Sequence, residues 1–153
     1  MDAMPQAAHD IARIRALAAD LARPDLSAHA LAATCGPVRD PIGQGAQLNV
    51  EPPGISGVHS LVVLPARGAG PDAVAHLVML AFAVGNRPRL SEVEAIFGQG
   101  TVVEPLDWEP WRLTFDGPQG DHASVLVIVS TDAEPGGGRD PRVAGISLRR
   151  DAR

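Results

Sequence analysis

The sequence predicts an α+β fold: an N-terminal helix plus two similar α-β-β-β units that form an antiparallel sheet, with the helices packed on one face. Two observations carry this prediction. Similar stretches recur at a nearly constant offset, since Ser27 and Ser91 lie 64 residues apart and His59 and His122 lie 63 apart. Between Pro- and Gly-rich turns, apolar residues alternate or run together over strand lengths. Units of this kind bury their apolar sides most easily against one another.

The chain divides into three segments of one compact fold. The predicted boundaries are residues 1–24 for the helix, 25–86 for the first unit and 87–153 for the second. A chain of 153 residues, 45% of them apolar, has enough apolar residues to form one hydrophobic core and is too apolar to be disordered. Internal duplication is the organisation that these patterns favour.

Residues 5–22 carry the clearest helical pattern. Five apolar residues follow helical spacing and form one stripe: Ile11, Ile14, Leu17, Ala18 and Leu21. Pro24 prevents the helix from continuing, and His9 is expected on its solvated side. We expect the stripe to cover one face of the sheet; alternatively, it docks on a partner or joins two copies in a homodimer.

The first unit begins with a short helix, predicted over residues 26–35. Ser27 can cap this helix, and Gly36 ends it. Cys35 lies at its end beside apolar residues, so it is expected to be a small buried hydrophobe rather than a nucleophile.

Three strands complete the first unit. A loop is predicted over residues 37–46, and strands over 46–51, 58–65 and 73–84. The second strand is apolar on both faces, which is typical of a central strand. The third segment is apolar all round, so periodicity alone allows a helix or a strand. We expect a strand because the matching run, residues 143–148, alternates.

The second unit repeats this plan. Ser91 followed by Glu94 is a capping-box pattern at a helix start, and Gly98 ends that helix. Strands are predicted over residues 111–115, 123–130 and 142–149.

A family resemblance rests on the start of each unit. The residues that carry it are Leu90-Ser91-Glu92-Val93-Glu94-Ala95-Ile96-Phe97-Gly98 and, more loosely, Leu26-Ser27 through Gly36. A helix of this kind, followed by antiparallel strands, resembles the tandem units of the secreted β-lactamase inhibitor proteins and the single unit of small outer-membrane assembly lipoproteins. The resemblance implies a non-enzymatic protein that binds another protein with a concave sheet surface and its loops.

The foremost candidate binding residues lie in one short segment. Both tryptophans fall within Asp107-Trp108-Glu109-Pro110-Trp111, and Arg112 follows. Large aromatic side chains on a loop are typical anchors for a protein partner. Trp111 is expected to begin a strand and to pack in the core, whereas Trp108 either packs within its loop or contacts a partner.

An alternative site would lie between the two units and use His59 and His122. These histidines occupy equivalent places beside the two central strands. Histidines at strand ends usually bond to the backbone, so no metal site is expected, and no motif indicates a cofactor.

Charge and cysteine content exclude several classes of function. The formal charge is −5, and the sequence has no lysine and no concentrated block of positive charge, so nucleic acid is not an expected partner. A single cysteine permits neither an intrachain disulfide nor a cysteine-rich zinc site. The chain also lacks the common hydrolase and phosphate-loop motifs.

Membrane insertion is not expected. The longest apolar run, residues 73–84, contains His76 and is shorter than the roughly 20 residues of a membrane span. No secretory-signal pattern is present near Met1, so a cytoplasmic location is the default expectation.

These observations favour a non-enzymatic protein-binding module of the inhibitor, immunity-protein or assembly-factor type. It would use the sheet surface and the loop at residues 105–111. The alternative is a small-molecule-binding domain, or a small enzyme, with its site between the two units.

Overall fold

One eight-stranded antiparallel sheet packs against three helices in residues 9–39, 47–66 and 69–153, which a computed structural model describes. The helices are α1 (Ile11–Leu21), α2 (Ala28–Ala33) and α3 (Leu90–Phe97). The strands are β1 (Val38–Arg39), β2 (Leu48–Val50), β3 (Val58–Pro65), β4 (Ala75–Phe82), β5 (Thr101–Val103), β6 (Trp111–Gln119), β7 (Ala123–Thr131) and β8 (Val143–Ala152). The predicted α+β class is confirmed.

The strand order is β1-β2-β3-β4-β8-β7-β6-β5. After α1, each half of the chain therefore contributes one helix and a run of four neighbouring strands. The halves meet where β4 pairs with β8, with Leu80 opposite Ile146 and Met79 opposite Ser147. The two central strands, β4 and β8, run antiparallel to each other. Matching positions in the two halves therefore lie at opposite ends of the sheet.

Each unit has four strands, so the predicted α-β-β-β plan is short by one strand. The two missed strands are β1 and β5, which have two and three residues and form the sheet edges. Segments this short contain too few residues to show alternation. β1 lies in the region that was predicted as a loop.

The ambiguous segment at residues 73–84 is a strand, as predicted. In β4, Ala75, Val78, Leu80 and Phe82 are buried, while Met79 and Ala81 between them are exposed. This alternation follows the two faces of a pleated sheet.

The N-terminal helix starts later than predicted. Asp10 caps α1 by accepting a hydrogen bond from the Arg13 amide at 3.1 Å, so His9 precedes the helix. Residues 5–8 of the predicted helix lie outside the described residues. The His9 side chain is only 6% exposed, because its ring packs edge-on against Phe82. The expectation of a solvated His9 was therefore wrong.

The start of α3 also differs from the prediction. The helix begins at Leu90, and the Glu92 carboxylate accepts a hydrogen bond from the Arg89 amide at 2.6 Å. The Ser91 hydroxyl donates to the Asp140 carboxylate at 2.7 Å. The expected capping box of Ser91 with Glu94 is therefore wrong, since a distant aspartate is the partner of that serine.

The core lies between the helices and one face of the sheet. The predicted stripe of α1 is buried there, and α1 packs on α3, β6, β7 and β8. Each buried leucine or isoleucine contributes about 1.5–3 kcal/mol. The apolar stripe of α1 is thus buried against elements of the same chain. A homodimer through α1 stays a prediction.

Two matching bridges fix α2 and α3 to the sheet. Ser27 pairs with Val74, just before α2, and Arg89 pairs with Arg142, just before α3. The first helical amides donate to Ala73 at 2.7 Å and to Pro141 at 2.9 Å. Each helix is therefore bonded to the segment that enters the last strand of its own unit.

Substitution of Gly36 by alanine should destabilise the fold. Gly36 has φ +147°, and an added Cβ would lie 2.5 Å from the Pro52 carbonyl oxygen. We expect a loss of about 2 kcal/mol or more in the free energy of unfolding, measured by denaturant titration. The matched control is Gly70→Ala, where a Cβ meets nothing within 4 Å. Equal, small effects of both substitutions would contradict this account.

Candidate functional site

The sheet face opposite the helices, here called the open face, is covered by none of the described helices. One row across it joins Val62, Met79, Ser147 and Ile128 on four adjacent strands. Met79 is 46% exposed, and the other three are partly buried. The centre of the open face is therefore mainly apolar and accessible.

A second row of the open face carries three leucines around one cation. Leu64 pairs with Leu77, and Arg149 lies between Leu77 and Leu126. The Arg149 guanidinium donates to the Asp151 carboxylate at 3.1 Å. The three leucines of this row thus flank a partly exposed ion pair, and beyond Leu126 the row ends at the exposed Asp116.

A depression of about 320 Å³ lies on the open face where the two halves meet. Its lining includes Val62 and Met79 from the first half and Gly145 and Ser147 from the second. An added Cβ at Gly145 would lie 2.9 Å from the Leu80 carbonyl oxygen, so only glycine fits here.

The loop between β5 and β6 presents two apolar side chains to solvent. Trp108 is 83% exposed and Leu106 is 66% exposed. The Glu109 amide donates to the Leu106 carbonyl at 2.9 Å and closes a turn around Asp107 and Trp108. Trp108 is thus displayed on the turn and not packed within the loop.

Glu109 and Arg112 hold this turn in place. One Glu109 carboxylate oxygen accepts from the Leu106 amide at 3.2 Å, and the other accepts from the Arg112 guanidinium at 3.1 Å. Arg112 lies opposite Ser130 and Val103, at the edge of the open face. The turn is therefore internally bonded and is joined through Arg112 to the edge of that face.

The predicted binding residues have different positions. Trp108 and Asp107 are exposed, Glu109 and Arg112 support the turn, and Trp111 is partly buried in β6. Leu106 was missed, because a single leucine between Pro105 and Asp107 shows no pattern. Its position is set by the turn that Glu109 closes.

The structure does not bring His59 and His122 together. His59 lies at the start of β3, opposite the end of β4, in a depression with Pro52 and Pro53. His122 precedes β7 at the other end of the sheet, beside Arg23. Equivalent positions are separated because the halves join antiparallel. Within the described ranges, no group of three His, Cys, Asp or Glu residues could hold a metal ion.

Comparisons with known proteins identify no relative. No protein family, curated protein or solved structure matches this chain. None of the helices in the described parts of the chain is long and apolar enough to cross a membrane.

Cys35 should resist alkylation in the folded protein. Its side chain is buried, and burial raises the pKa of the thiol. Because the thiolate is the reactive species, we expect labelling by iodoacetamide to be at least about 100-fold slower in the native protein than in guanidinium. Comparable rates in the two states would show that the thiol is accessible and reactive.

Proposed function

We propose that this protein is a non-enzymatic module that binds another protein through the open face and the loop at residues 105–111. The observation that carries the proposal is the 83% exposure of Trp108 on a hydrogen-bonded turn. Tryptophan is strongly enriched among residues that dominate binding energy. An isolated exposed valine or leucine needs no such explanation.

The structure of the turn favours binding. Side-chain and loop ordering costs about 0.5–1.5 kcal/mol for each side chain that is immobilised on association. Here Glu109 already holds the turn through bonds to Leu106 and Arg112. The backbone that carries Trp108 is therefore ordered before any partner arrives, which lowers that cost.

The open face provides enough area for a stable interface. Its four central strands, about 4.8 Å apart and about 26 Å long, present roughly 500 Å². The outer strands and the turn bring this near the ~800 Å² per partner of a standard interface. The resemblance of the units to the β-lactamase inhibitor proteins implies the same use of a sheet surface.

The location of this function is proposed to be cytoplasmic. Cys35 is a free, buried thiol, which is compatible with a reducing compartment.

An alternative function is the binding of a small molecule in the depression where β4 meets β8. Its volume of about 320 Å³ falls at the lower end of the range for ligand sites. Its lining includes neither His59 nor His122, so recognition would depend on shape and on the hydroxyl groups of Ser60, Ser130 and Ser147.

Substitution of Trp108 by alanine should abolish partner binding without affecting the fold. We expect at least about a 30-fold loss of affinity, as for other anchor residues, and a stability change within about 0.5 kcal/mol. The measurement is affinity capture from the cells that naturally express the protein, followed by titration of the purified partner.

A matched control for this experiment is Val84→Ala, since Val84 is 81% exposed but lies outside the loop. Met79→Lys tests the open face and should weaken the binding of the same partner. Retention of that partner by both Trp108→Ala and Met79→Lys would refute the proposed surface.

The alternative predicts a ligand-dependent rise in melting temperature. A compound present at 100 times its Kd should raise it by roughly 5–10 °C. A Ser60→Trp substitution, which fills the depression, should remove that rise. If a broad metabolite screen yields no compound with this behaviour, the small-molecule function is excluded.

A further inference from the structure

Three arginines line a second depression, which lies apart from the open face. Its volume is about 810 Å³, and it lies where β4 ends, α3 begins and β7 leads into the following loop. The cations are Arg87, Arg89 and Arg142. This grouping stands out in a chain with a formal charge of −5.

The carboxylates beside these arginines are bonded to other groups. Glu92 accepts from the Arg89 amide at 2.6 Å, and Asp132 accepts from the Arg142 amide at 3.0 Å. Among the described residues, no carboxylate lies within 4.0 Å of any of the three guanidinium groups. Their donors are therefore not engaged by an ion pair.

Asp140 is the remaining acidic neighbour. It accepts from the Ser91 amide at 2.9 Å and from the Ser91 hydroxyl at 2.7 Å. These bonds, supported by the charges of Arg89 and Arg142, hold the pKa of Asp140 below its usual value. Asp140 thus stays charged and bonded to α3, and it does not line the depression.

The amides at the start of α3 are also engaged. The Leu90 amide donates to the Pro141 carbonyl, the Ser91 amide to Asp140, and the Glu92 amide to the Arg89 carbonyl. An anion in the depression would therefore be held by guanidinium groups and not by the helix terminus.

Two buried polar atoms in the wall have no hydrogen-bond partner among the described residues: Arg87 Nε and His9 Nδ1. The His9 side chain is 94% buried, and its Nε2 lies 2.7 Å from the Asn86 carbonyl oxygen. Because that oxygen only accepts, Nε2 is the donor of this bond, and Nδ1 lies 3.8 Å from Glu92 Oε1. Buried polar groups without partners are rare in proteins and call for an explanation such as a bound polar group.

We propose that this depression binds the oxyanion group of a small molecule, a phosphate or a carboxylate, through Arg87, Arg89 and Arg142. The planar guanidinium group matches both oxyanions with paired hydrogen bonds. The Arg142 guanidinium also donates to the Arg87 carbonyl at 3.2 Å, which fixes this cation against the backbone of Arg87. This site shares no residue with the proposed protein-binding surface.

The test is an NMR titration of the ¹⁵N-labelled full chain with inorganic phosphate and, separately, with malonate, at constant ionic strength. We expect saturable shifts of the amides at residues 84–92 with at least one of the two anions. Arg89→Gln should weaken that binding by at least about fivefold. It is a suitable variant because Arg89 is exposed and its amide bond to Glu92 is retained.

The matched control is Arg15→Gln, which removes an exposed arginine that does not line this depression. Arg15→Gln should bind the anion with the affinity of the unmodified protein. Melting temperatures should show that both variants are folded. If phosphate alone saturates the site, the natural ligand is assigned as a phosphate ester. If malonate alone saturates it, the ligand is assigned as a carboxylate. Failure of both anions to saturate, or equal affinities of Arg89→Gln and the unmodified protein, would overturn the proposal.

Discussion

The pairing of β4 with β8 is the constraint on which the rest of the structure depends. Five residue pairs, from Leu77 opposite Arg149 to Ala81 opposite Gly145, join two four-stranded halves into one sheet. Gly145 permits this approach because a Cβ there would collide with the Leu80 carbonyl. Since both halves place their helices on the same face, the opposite face runs uninterrupted across the junction. The open face is thus a consequence of one strand pairing.

The two faces of the sheet consequently have different physical roles. On the helix face, Val78, Leu80, Ile146 and Leu148 are buried, and removal of such apolar side chains from water is the dominant favourable contribution to folding. On the open face, neighbouring strands cover the apolar side chains only in part. In the proposed function, a partner buries this remaining area together with the turn that carries Trp108.

Sequence periodicity predicted the long elements well and the local bonding poorly. The strand predicted over residues 58–65 coincides with β3, because eight residues suffice to show an apolar pattern. The capping of α3 was missed because Ser91 bonds to Asp140, which is 49 residues away. The burial of His9 against Phe82 is likewise a tertiary contact with no local signal. The exposure of Trp108 was left open by the sequence, since flanking prolines exclude a helix without fixing the direction of a side chain.

The common plan of the two halves does not extend to their surfaces. An antiparallel junction sends equivalent loops to opposite ends of the sheet, so a feature shared by both halves would occur twice and far apart. The aromatic turn lies between β5 and β6, and the sequence of residues 40–47 in the first half contains no aromatic residue. The arginine depression lies at the end of the sheet where α3 begins. The two halves therefore share a scaffold of strands and helices, and the proposed aromatic turn belongs to the second half alone.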